Sequence, residues 1–129
     1  GKTKLDLEDD AARVNWGGKW RMPTHAEWKE LHQNCTFVVT NQNGVKGIKM
    51  TSKISGYTDK FIFIPIAGYK EGTSSSNNGY YACYWVRTLN MTTNSSRANE
   101  VFISTSGSLN FSFNWADRYL GYSIRPVHP

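Results

Sequence analysis

The stretch Asn15–Leu31, NWGGKWRMPTHAEWKEL, constrains the fold more than any other part of the chain. It carries Trp16, Trp20 and Trp28, three of the five tryptophans, around a Gly17-Gly18 turn. Pro23 breaks the chain, Thr24 is placed as an N-cap, and Glu27 three residues on completes a capping box. A helix from Thr24 to about Gln33 puts Trp28 and Leu31 on one face, with Trp20 expected to close over it. So much large apolar area in one short segment predicts the clamp of a core.

The rest of the chain predicts mostly strands. Upstream, Leu5–Asp10 is acidic, and Asp9 and Asp10 suit the N-cap and first turn of a short helix. A calcium site is the sharper alternative, but the EF-hand spacing and its glycine are absent, so capping is preferred. Downstream, Thr36–Thr40 and Lys46–Ser52 flank Asn43-Gly44, a strong hairpin signal. Lys60–Ala67, KFIFIPIA, reads as a buried strand, with Pro65 at a bulge or sheet edge. Glu71–Gly79 and Leu89–Ser96 read as polar loops. Tyr80–Thr88, Glu100–Ser104 and Tyr122–Val127 read as further strands. Two helices followed by five to seven strands predict an α+β domain, one domain over residues 1–129.

Composition excludes several functions. The 129 residues are 39% hydrophobic and 14% aromatic, enough for a packed core. No run approaches the roughly 18 apolar residues of a membrane span. The net charge is +5, yet Lys2, Arg13, Lys29, Lys46, Lys60, Arg97 and Arg118 are scattered. Basic charge without a stripe or motif argues for solubility rather than nucleic-acid binding. Gly1 reads as a cloning scar, with targeting information cut away.

Enzyme signatures are missing: there is no phosphate-binding loop, G-x-S-x-G, H-E-x-x-H or paired C-x-x-C. The two cysteines, Cys35 and Cys83, are best read as buried free thiols, with pairing to each other or to an outside partner left open. His25 and His32 lack a third ligand and read as a surface pair. Asp59, Glu71, Glu100 and Asp117 read as solvated carboxylates. Asn34, Asn90, Asn94 and Asn110 match the N-glycosylation pattern, which matters only for a eukaryotic source. No catalytic residue, metal or cofactor is therefore expected.

Ser108–Asp117, SLNFSFNWAD, alternates Leu109, Phe111, Phe113 and Trp115 with Asn110, Ser112, Asn114 and Ala116. On a strand, four large apolar side chains share one face. That face is either an inner face or an exposed platform for sugars, peptides or proteins.

Several of these segments together resemble the Fibrobacter succinogenes major paralogous domain, a family of bacterial, often surface-exposed proteins. They are LDLEDDAARVNWGGKWRMPTHAEWKEL, Asn34-Cys35-Thr36, NQNGVKGIKMTS, FIFIPIAGYKEG, Tyr84-Trp85 and RYLGYSIRPV, nearly the whole chain. The resemblance implies a C-type-lectin-like fold, shared with formylglycine-generating enzymes and retroelement-diversified proteins. In that fold two N-terminal helices pack on a small twisted antiparallel sheet with long irregular loops. It also implies more sequence upstream, a scaffold role for Arg125 and the three tryptophans, and an exposed Leu109–Asp117.

Departures from the usual family pattern lie at Cys83, Val86, Arg87, Leu109, Phe111 and Phe113. Randomising the first two bases of an AAC codon yields these residues and Asp117, but never Trp115. The reading is thus a non-enzymatic ligand-binding module of a bacterial or phage surface, secreted or cell-surface, monomeric, and open to retroelement diversification. Its expected contacts are Tyr80, Tyr81, Arg87, Leu109, Phe111, Phe113, Trp115 and Asp117, toward an unidentified protein or glycan. The alternatives are a structural domain of an envelope or fimbrial assembly and, remotely, a copper-thiolate oxidase of the formylglycine-generating type, which needs two adjacent reactive cysteines.

Overall fold

A computed structural model describes residues 2–89 and 96–129. The expected polar loop Leu89–Ser96, with the Asn90 and Asn94 acceptor sites, lies almost wholly outside the described residues. Among the described residues eight strands follow two short helices: α1 Ala11–Trp16, α2 His25–Asn34, β1 Cys35–Gln42, β2 Val45–Ser52, β3 Phe61–Pro65, β4 Tyr69–Glu71, β5 Ser74–Ser76, β6 Tyr81–Trp85, β7 Arg97–Ser104 and β8 Asn110–Asp117. They form three antiparallel sheets, β1-β2-β3, β4-β5 and β6-β7-β8.

This overturns the α+β, lectin-like expectation of two helices on one small sheet. Strands hold 45% of the residues and helices 13%, divided among three sheets. The reason is local: both helices are short and end before Cys35, and every later regular element among the described residues is a strand.

The helix starts behave as local chemistry dictates. Thr24 caps α2 and receives the Glu27 amide at 3.3 Å, while Glu27 accepts from the Thr24 amide at 2.8 Å. Asp10, not Asp9, caps α1, taking the amides of Ala12 and Arg13 at 3.1 and 3.3 Å. The Asn43-Gly44 turn closes β1 on β2, with φ values of 51° and 79°, the left-handed pair that a tight hairpin requires. β3 is an edge strand, as Pro65 requires, since a proline cannot donate to a further neighbour.

Two expected elements change. Within the expected loop at Glu71–Gly79, Glu71–Ser76 joins the β4-β5 hairpin. The expected strand Tyr122–Val127 is instead an extended tail held by isolated bridges, Tyr84 with Ser123 and Arg21 with Val127. Trp20 does not close over Trp28; its ring meets Trp16 and His128 edge-on at 5.2 and 5.1 Å.

One core unites two of the sheets and α2. Ile48, Met50 and Ile64 come from the first sheet, Ala82, Tyr84, Val101 and Ile103 from the third, and Trp28 from α2. The Tyr84 hydroxyl donates to the Pro65 carbonyl at 2.9 Å and ties the sheets together at the polar end of a buried ring. Gly68 sits where β3 gives way to β4, at φ 62°, with the Ser76 carbonyl and the Asn77-Asn78 backbone where a Cβ would lie. Only glycine fits that crossing.

Candidate functional site

β7 and β8 run antiparallel, with Arg97 opposite Asp117, Asn99 opposite Trp115 and Val101 opposite Phe113. Their shared register puts Arg97, Asn99, Val101 and Ile103 on the same side as Phe111, Phe113, Trp115 and Asp117. The alternation read from the sequence is therefore real, but the row divides along its length.

At one end the row is interior. Leu109, Phe111 and Phe113 are half-buried and pack on the core. α2 covers them: His32 lies 4.5 Å from the Phe111 ring, His25 meets Phe113 edge-on at 5.3 Å, and Lys29 Nζ stands 5.5 Å over Phe113. Phe37 of β1 completes the cluster, 4.9 Å from Phe111. His25 is not a surface residue. Burial pushes its pKa below the ordinary histidine value, and its buried Nε2 has no hydrogen-bond partner among the described residues.

At the other end the row opens to solvent. Trp115 is 45% exposed. The Arg97 guanidinium lies over its ring at 3.4 Å, and Arg97 Nε stands 3.6 Å from Asp117 Oδ1. These three side chains make a stacked, charge-balanced patch at the edge of the third sheet. Arg97 was read from the sequence only as one of the scattered cations. Its placement follows from the β7-β8 register, which the alternation of β8 alone does not reveal.

The remaining expected contacts lie elsewhere. Tyr80 is 60% exposed in the turn just before β6, with Lys46 Nζ 5.8 Å over its ring. Tyr81 lies on the opposite face of the sheet, its ring tilted against Phe102 at 4.7 Å. Arg87 turns inward: its Nε donates to the Leu5 carbonyl at 3.1 Å and lies 3.4 Å from the fully buried Asp10. The structure thus brings Trp115 and Asp117 together with Arg97, and separates them from Tyr80, Tyr81 and Arg87.

No family model matches the chain, and neither a curated protein nor a solved structure matches it.

Burial shifts the two thiols and Glu100 toward their neutral forms. Cys83 is buried, and its thiol is pushed up to about 12 by burial and by Glu100. Cys35 is also buried and free, with its pKa raised by burial. Thiols in such surroundings supply little thiolate at neutral pH. Glu100, expected in solvent, is only 6% exposed. Burial raises its pKa, its Oε2 lacks a partner, and the Tyr122 phenol lies against the carboxyl. Among the described residues no group of three or more His, Cys, Asp or Glu side chains comes together, and no helix is long and apolar enough to cross a membrane.

Proposed function

We propose that the chain is a non-enzymatic binding module whose contact surface is centred on Trp115, Arg97 and Asp117. The observation that carries this reading is the exposed Trp115 ring, stacked under Arg97 and flanked by Asp117. Tryptophan and arginine dominate the energetics of recognition surfaces, because a rigid ring and a planar cation bury area at low entropic cost. The Arg97–Asp117 pair holds both polar groups in place before a partner arrives, which lowers the cost of ordering them. The motif resemblance supports a bacterial or phage surface protein as the setting, with retroelement diversification as the origin of the departures in and beside β6 and β8.

The test is binding of the labelled chain to a glycan array and to intact bacterial cells. Trp115→Ala and Asp117→Ala should each lose the binding seen with the unaltered chain while keeping its melting temperature. Undiminished binding by both variants would remove this surface as the contact site.

A further inference from the structure

A second place in the molecule has the character of a site. Between α2 and the extended tail lies a cavity of about 200 Å³. Its walls are apolar: Trp28, Leu31, Ile62, Pro126 and Val127. Cavities of about 150 Å³ lined this way accept a benzene ring, so the space suits a ring-sized apolar body.

One charged donor at this cavity is unspent. Arg125 lines it and has no carboxylate partner among the described residues. Its charge is felt at Tyr84, whose ring tilts against Trp28 at 5.6 Å. The one acid on the wall, Glu27, is already neutralised. Arg21 grips both its oxygens at 2.6 and 2.8 Å, and the Thr24 amide adds a third bond at 2.8 Å. The charge balance of the cavity is therefore one free cation, with no free acceptor charge.

We infer that this cavity binds a small monocarboxylic acid with a ring-sized apolar body, its carboxylate received by Arg125. The apolar walls take the ring out of water, and a planar guanidinium is well matched to a carboxylate. The site is separate from the Trp115 patch and does not depend on it.

Phenylacetate is the probe, with phenylacetamide and acetate as comparators, followed by the indole N–H resonance of Trp28 in the full chain. Phenylacetate should bind with a dissociation constant below about 1 mM. The neutral amide, and acetate without the ring, should each bind about tenfold more weakly or worse. Arg125→Met should bring phenylacetate down to the level of the amide while leaving the amide unchanged. Equal binding of acid and amide to the unaltered chain, or an unmoved Trp28 resonance, would overturn the assignment, and neither depends on the variant folding.

Discussion

Asp10 and Arg87, 77 positions apart, meet in the interior with 3.4 Å between Oδ2 and Nε. Asp10 also takes the amides of Ala12, Arg13 and Met22, the last at 3.0 Å, so one buried carboxylate organises α1, the approach to α2 and the end of β6. Asp10→Ala removes the helix cap and strands a largely buried guanidinium together with the Met22 amide. It should cost about 3–5 kcal/mol, read as a lowered urea midpoint. Asp10→Asn keeps an acceptor for the amides and should cost clearly less.

The divided row on β8 makes opposite predictions for two neighbouring aromatics. Phe113 packs on the core under His25 and Lys29. Phe113→Ala should therefore lower stability by about 2 kcal/mol, less than for a fully buried ring. Trp115→Ala removes an exposed ring and should change stability by no more than about 1 kcal/mol. Thermal melts of the two variants measured side by side decide whether the row is half interior or a single exposed platform.

Glu27 links stability to acid. Hydrogen bonds from Arg21, with the Thr24 backbone bond, lower its pKa from 4.5 to about 2. A depressed carboxylate contributes its full stabilisation above its unfolded value and loses it as pH falls through the folded one. The loss should run from about pH 4.5 down to about pH 2. Because the carboxylate is partly exposed, solvent screening reduces the contribution to about 1 kcal/mol. In Glu27→Gln that segment of the stability curve should flatten.

Glu100 predicts the reverse slope. Its pKa is raised, so the folded protein holds the proton more tightly than the unfolded chain. Stability should fall as pH climbs from the ordinary glutamate value through the raised one. Glu100→Gln removes the ionisation and should melt higher than the unaltered chain at pH 8, with little difference at pH 4. Equal melting differences at both values would show that the carboxyl is not being forced to ionise in the interior.

The parts of this fold that were legible in the sequence are those set by neighbours along the chain. The Thr24–Glu27 capping box, the presence of an aspartate cap on α1 (though one residue later than expected) and the Asn43-Gly44 hairpin each depend on a few consecutive residues. The alternation of β8 was legible for the same reason, since successive side chains on a strand must face opposite ways. Fold class was not legible, because the balance between helix and sheet turned on which segments found partners. The polar stretch 71–79 supplies the β4-β5 hairpin, while the periodic tail 122–127 makes only bridges.

Charge and exposure were decided by tertiary structure alone. Nothing near Glu100 or Arg87 in the sequence marks them as interior, because what buries them arrives from far along the chain: Tyr122 against one, Leu5 and Asp10 against the other. The same holds for the candidate site. The sequence by itself determined that Leu109, Phe111, Phe113 and Trp115 share a face, since backbone geometry fixes that. Only the packing of α2 across the sheet decided which of them it covers and which it leaves beside Arg97 to meet solvent.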